Sequence, residues 1–435
     1  MPNPAVTAPA VGGIFFPLAG RLGRSPRENV TPKVLEKIVW AGANLGSYPQ
    51  AVAALRELAG VDLAGKQVQR MTSQVGEDCR NERALHVEAF RAKTLAERTA
   101  ANPAAAVPEL GVVMMDGGRH QRRDHFGQPR TSDRKGHWKE DKVGLALSMQ
   151  SEVFDSDPTP EFPEWLAGAK VVSEIAGLAE RDENTAENSG ETGTSGSPSD
   201  AECDTENHDE RTWAQAPRLL RREMIASTEE SASFGWHLQW KAWQQGVSAA
   251  KRQAFVADGA SVNWTIHRKH FSQMIGVLDL MHALSYAYRA AAVLDDPKAY
   301  RRFAEWIWQG NVRRVIHELK AHQQQFGLPE KEAGEADPRQ RIHRALTYYT
   351  NHQNRMNYPE YRRQGLPLTS SHIESAIKQI NARVKGTEKF WRNDHANAVL
   401  QLRADSLSDS QPLKKFWTRW RANITGANRY RTTVL

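Results

Sequence analysis

Three carboxylates in this chain stand where a divalent cation could be held: Asp116 in VVMMDGG, Asp258 in AFVADGA and Glu374 in SSHIESAIK. Asp116 and Asp258 each close an apolar run and are followed at once by glycine. A carboxylate at a strand end is held rigidly, and glycine leaves room for a metal or a backbone to come close. Asp-Gly is also an ordinary turn signal. Two such sites plus a distant glutamate at a helix start carry more weight than one. The chemistry that needs this set is metal-dependent phosphoryl transfer. Two hard divalent ions, Mg²⁺ or Mn²⁺, about 3.5–4 Å apart clamp the attacking and leaving oxygens of an in-line displacement. One aspartate would bridge both ions and the other two acids would hold one each. Water or a DNA 3′-hydroxyl attacks, so no protein nucleophile is needed. Glu374 also heads a basic helix with Lys378, Arg383 and Lys385, which would face a phosphate backbone. Ser370 and Ser371 ahead of it fit a plain helix cap as well.

The elements that must position these residues follow in order. Residues 1–28, rich in Pro, Gly and Ala, read as a loose arm. Residues 29–100 read as helical. Thr31-Pro32 is a start signal, and Ala51, Ala54, Leu55 and Leu58 form one apolar face. Gly60 breaks that helix. In the next, Val68 and Met71 point inward, while Lys66, Gln67, Gln69, Arg70 and Ser73 point out. The outline over 47–76 is that of a helix-turn-helix, and plain helical packing gives the same pattern. GVVMMD and KVGLALSM (142–149) read as strands, 218–247 as helical, and QAFVADGA (253–260) as a strand ending in an acid. MIGVLDLMHALSYAYRAAAVL (274–294) reads as a short strand running into a long helix, and 297–350 as entirely helical. Runs of strands and helices with a helical block between imply an α/β core with a helical insertion.

Composition narrows the partners. The net charge is +7, yet residues 181–211 hold ten acidic and two basic side chains. The rest therefore carries about +15, which favours phosphate-bearing partners. The acidic stretch lacks the apolar content to fold and reads as a disordered insert. No apolar run is long enough to span a membrane, and the N-terminus lacks the basic lead of a signal peptide. Two distant cysteines, Cys79 and Cys203, make neither a disulfide framework nor a zinc site, and fit a cytoplasmic protein. Arg119, His120, Arg122 and Arg123 form either a solvated turn or, beside a metal site, phosphate contacts. Trp236, Trp240 and Trp243 recur at helical spacing, as core or as a platform for unpaired bases. Trp391, Trp417 and Trp420 among Lys414, Lys415, Arg419 and Arg421 suit nucleic-acid contact or docking on the protein's own core.

The block YYTNHQNRMNYPEYRRQGLPLTSSHIESAIKQINARVKGTEKFW resembles the DDE transposases of bacterial insertion sequences. In that family a Tyr-Pro-x-Tyr and Gly-Leu-Pro segment leads into the catalytic glutamate. The resemblance covers roughly 35–410. It implies an α/β, RNase H-like mixed sheet with an all-helical insertion, preceded by a helix-turn-helix-type DNA-binding region. Asp116, Asp258 and Glu374 are then the catalytic and metal-binding acids, for two Mg²⁺ or Mn²⁺ ions. Asp279 and His282 of VLDLMH are similar to the Cys/Asp-x-x-His motif of several transposase lineages, and as supporting residues they would orient the strand–helix corner. Lys66, Gln67, Arg70, Arg119, Arg122, Lys378, Arg383 and Lys385 would meet DNA. The core would occupy 108–180 and 212–296, the helical insertion 297–365, the glutamate helix 366–410 and a basic tail 411–435. Where the family often carries Gly-Ser-Gly, this chain has Thr369, Ser370 and Ser371. The implied partners are double-stranded DNA, both terminal inverted repeats and target, and further copies of the chain. An inactive, transposase-derived DNA-binding protein and a junction-resolving nuclease are the alternatives.

Overall fold

In the computed structural model, residues 6–7, 14–15, 30–122, 137–168, 170–178, 216–330, 334, 336–386 and 389–424 are described. The acidic stretch 181–211, Arg123 and most of the N-terminal arm lie outside them. A mixed, open sheet of six strands organises the rest. Its centre is β1 (Leu110–Arg122). Strands β2 (His137–Gln150) and β3 (Arg218–Ser227) continue it antiparallel on one side. Strands β4 (Arg252–Ala257) and β5 (Ile275–Leu278) continue it in parallel on the other, giving the order β3-β2-β1-β4-β5. The two-residue β6 (Phe390–Trp391) pairs with the far end of β1. Leu110 to Met115 are buried without alternation, as expected for a strand covered on both faces.

Three long helices, and then a single short turn of helix at Leu95–Thr99, precede the sheet: α1 (Pro32–Asn44), α2 (Tyr48–Ala59) and α3 (Gly65–Arg91). Ser47 caps α2 through its hydroxyl, which accepts the Gln50 N–H at 3.3 Å, and Gly60 ends it in the left-handed region at φ 60°. Helix α4 (Ser231–Gln244) crosses from β3 to β4, α5 (Ser261–His270) joins β4 to β5, and α6 (Leu280–Ala291) leaves β5. The helical block follows as α7 (Ala299–Trp308), α8 (Val312–Phe326), α9 (Pro338–His352) and α10 (Tyr358–Arg363). The chain then returns to the sheet through α11 (Ser371–Val384) and α12 (Asn393–Leu407), and α13 (Pro412–Ile424) follows. Alternation along β1 and β2 assigns the two faces. A Cβ on Gly144 would strike Phe234 and Leu238 of α4, and one on Gly118 would approach Asn381 of α11. Asp116, Gly118 and His120 therefore share the face under α11.

Several expectations change. Residues Arg218–Ser227 form an edge strand, not a helix. Its wholly buried Glu223 accepts the Ser410 N–H and hydroxyl, each at 2.7 Å, so a polar residue at a core position masks the strand pattern. Asp116 is not at a strand end, because β1 runs on through Gly117 and Gly118 to Arg122, and no Asp-Gly turn forms. Leu58 is 86% exposed rather than part of the inner face of α2. Helix α3 continues without a break well past residue 76. Its Gln69 amide lies 3.2 Å from His395 of α12, and its Ser73 hydroxyl is buried, so both turn inward. The aromatic tail docks on its own protein: Phe416 and Trp417 join Ile38, Val68 and Met71 in a second core, and Arg421 pairs with Glu36 at 2.8 Å. Among the described residues, no helix is long and apolar enough to cross a membrane.

Arg383 is the clearest correction. It is 2% exposed and cannot face DNA. Its Nε donates to the Gly42 carbonyl at 3.0 Å, and its guanidinium lies 4.6 Å from the Tyr48 ring centre and 4.9 Å from that of Trp391. It therefore ties α11 to α1 and α2 from inside. Arg383→Ala is expected to cost about 3 kcal/mol in chemical denaturation, from one charged hydrogen bond and a desolvated cation–π contact. It should leave the salt dependence of DNA binding unchanged, whereas Lys378→Ala should flatten that slope.

Candidate metal centre

The centre is assembled through Asp279, which follows β5 and is wholly buried. Its N–H donates to the Ala257 carbonyl at 2.9 Å, one residue before Asp258. Its Oδ1 accepts the His282 N–H at 2.7 Å and so caps α6. Its Oδ2 accepts the Ser370 N–H at 2.5 Å, at the entry to α11. The Leu280 N–H donates to Leu368 at 2.9 Å and closes the same junction. Burial alone would raise the Asp279 carboxyl. The hydrogen bond and charge of His282, with the Ser370 N–H, outweigh burial and hold it below the usual carboxylate range. His282 Nδ1 is 3.1 Å from Asp279 Oδ1. A carboxylate can only accept there, so Nδ1 carries the hydrogen. Nε2 is then the nitrogen able to bind a cation or take a proton.

The three acids are delivered by different devices. Asp116 sits on β1 two residues beyond the last pairing with β4, Met114 with Val256. Its Oδ1 accepts the Gly117 N–H at 2.6 Å. Asp258 follows β4 directly. Its Oδ1 accepts the Ala260 N–H at 2.9 Å and the Asn263 amide at 2.7 Å, and its carbonyl accepts the Trp264 indole N–H at 2.7 Å. Gly259 is required for packing rather than for open approach, since a Cβ there would lie 2.3 Å from the Tyr348 ring. Glu374 stands in the first turn of α11, with Ser370 Oγ at a long 3.5 Å. With Ser370 as the N-cap, Glu374 falls one residue beyond the position a capping box uses, and the Ser370 N–H goes to Asp279. None of Thr369, Ser370 and Ser371 lies in the left-handed region, so the backbone here does not require glycine.

These groups share one electrostatic neighbourhood. Burial first, then the charge of Asp258, with Glu374 adding to it, pushes the Asp116 carboxyl up to about 7, against the opposing pull of His282 and the Gly117 N–H. Ligand atoms of Asp279, His282 and Glu374 lie within 4.8 Å of one another, a spacing that a metal ion could bridge. Asp116 and Asp258 stand beside that tight group rather than in it. Both Asp279 oxygens are already engaged by backbone N–H groups, which suits an anchor better than a ligand. The donor set fits a hard divalent cation: carboxylate oxygens with one imidazole at the margin.

Of the predicted DNA contacts, Lys66, Gln67 and Arg70 are exposed near the start of α3, and Lys378 and Lys385 are exposed on and just after α11. Gln67 also accepts the Ala64 N–H at 2.9 Å, which caps α3. Arg119 is exposed and Arg122 half-buried beyond Asp116 on β1. His120, by contrast, is fully buried 3.0 Å from the equally buried Asp141, so it cannot meet a phosphate. The pairs His120–Asp141 and Asp258–Asn263 are not readable in the sequence, because each partner reads as an ordinary polar residue in a turn or charge run.

The folded Asp116 pKa lies above its ordinary 3.8, so the metal-free site holds a proton below about 7 and loses it as pH rises through that value. Mn²⁺ binding near pH 6 is therefore expected to release about one proton, and far less near pH 8.5. Calorimetry in buffers of different ionisation enthalpy counts those protons, and Asp116→Asn should abolish the difference. No protein-family model matches the chain, and no curated protein matches it.

Proposed function

We propose that the protein is a transposase of the DDE type, which cuts and joins DNA strands with divalent metal ions on an RNase H-like core. The observation that carries this reading is the junction at Asp279, which gathers Asp258, His282 and Glu374 from remote segments, beside Asp116. The strand order β3-β2-β1-β4-β5 supports it as well, because it sets the exit of β4 next to Asp116 on β1.

In this reading Asp116, Asp258 and Glu374 hold the metal ions, and Asp279 orients His282 and the start of α11. Bound divalent ions supply charge stabilisation to both oxygens of an in-line displacement at phosphorus. The protein's own part is placement. Asn263 and the Ala260 N–H fix Asp258 through Oδ1, and the sheet fixes Asp116. Deprotonated Asp116 is the form competent to bind, so activity should rise as pH passes through about 7. Exposed Lys378 and Lys385 would grip phosphates beside Glu374, and Lys66 and Arg70 would read or hold DNA ends at a distance. A DNA strand is the expected substrate of a centre with carboxylates inside and cations outside.

The test is metal-dependent nicking and strand joining on DNA carrying the sequences that flank the coding region. Glu374→Gln should lower cleavage roughly 100- to 1000-fold or more while DNA binding and thermal stability persist. Asp279→Asn should lose activity and also about 2–3 kcal/mol of stability, since it breaks buried charged hydrogen bonds. Binding without nicking in the wild-type chain would instead indicate a DNA-binding relic, and nicking without joining a nuclease.

A further inference from the structure

A cavity of about 550 Å³ opens between α3, β3, α4, α12 and α13, and none of the residues of the metal centre lines it. Six cationic side chains line it against two carboxylates, Glu82 and Asp405, with Glu223 buried behind Lys241 and Arg221 at 3.7 and 3.4 Å. The central cation is Arg83, which is 6% exposed. Its nearest acid is Glu229, 4.0 Å from Nη2, and its buried Nε and Nη1 have no hydrogen-bond partner. The buried Trp243 indole N–H and Gln401 Oε1, also on the cavity wall, likewise lack partners. Buried polar atoms of folded proteins generally find partners, and three such side chains, Arg83, Trp243 and Gln401, share this one cavity wall. The remaining walls are aromatic, with Trp240, Phe90 and Phe416.

From this wall we propose that the cavity binds a small organic anion with a planar ring, of the nucleotide class. The phosphate would take the Arg83 guanidinium, with Lys241 nearby. The ring would lie against the indoles, and its polar edge would meet Trp243 Nε1 and Gln401 Oε1. The volume suits a ligand of this size. The planar, delocalised guanidinium fits a phosphate better than a lysine would. The inference does not rest on the transposase reading, because it uses no residue of that centre. The nucleotide could be free or could be the 5′ end of a strand, since both present the same chemistry.

The experiment is titration of the full chain with AMP, followed by calorimetry and tryptophan fluorescence, with inorganic phosphate and adenosine as separate probes. AMP should bind at least roughly tenfold more tightly than either part. Arg83→Gln should weaken AMP binding roughly tenfold or more. Trp243→Phe keeps the ring that packs on Phe90 and removes only the donor, so it serves if the Arg83 variant fails to fold, and it should weaken AMP binding severalfold. Competition by a short 5′-phosphorylated single strand would identify a strand end as the source, and its failure to compete a free nucleotide. Absence of AMP binding, equal binding of phosphate alone, or unchanged AMP affinity in Trp243→Phe would overturn the proposal.

Discussion

One buried carboxylate holds this centre together. Asp279 accepts the backbone N–H of His282 on one oxygen and that of Ser370 on the other, and its own N–H reaches Ala257. Those three bonds fix the end of β4, the start of α6 and the start of α11. The helical block 297–365 lies between the last two in sequence, so the loop that Asp279 closes is long. A charge with no solvent exposure is tolerable only when its lone pairs are used, and here backbone donors use them. The same bonds make Asp279 an anchor and leave metal binding to its neighbours.

The electrostatics follow from that placement. Burial first, and then the charges of Asp258 and Glu374 beside it, raise the Asp116 carboxyl to about 7. A stable fold rarely keeps such repulsion without use, and perturbed carboxylates cluster where chemistry is done. The cations that would serve a nucleic acid lie outward, on α3 and α11. Arg383 and His120, which share the sequence neighbourhood of those contacts, are interior struts.

Much of this was legible in the residues. The strand of GVVMMD, the strand and acid of QAFVADGA, the strand–helix corner at VLDLMH and the all-helical block carry periodicity that survives in the fold. The edge strand Arg218–Ser227 was not legible, because Glu223 occupies a core position through a pairing with Ser410, far away in sequence. Nor was the burial of Arg383, whose partners Gly42, Tyr48 and Trp391 come from other segments. The glycine after Asp258, which by sequence alone offers room for a metal, makes room for Tyr348. Local pattern identified the elements and the acids. Long-range pairing decided which polar side chains face solvent.

The most direct test of the central claim is an anomalous-scattering map of crystals of the protein grown with Mn²⁺. The expected result is one or two manganese peaks coordinated by oxygens of Asp116, Asp258 and Glu374, with Asp279 still bonded to the Ser370 N–H. A peak held by Asp279 and His282 with both aspartates uninvolved, or no peak at the carboxylates at saturating Mn²⁺, would contradict it.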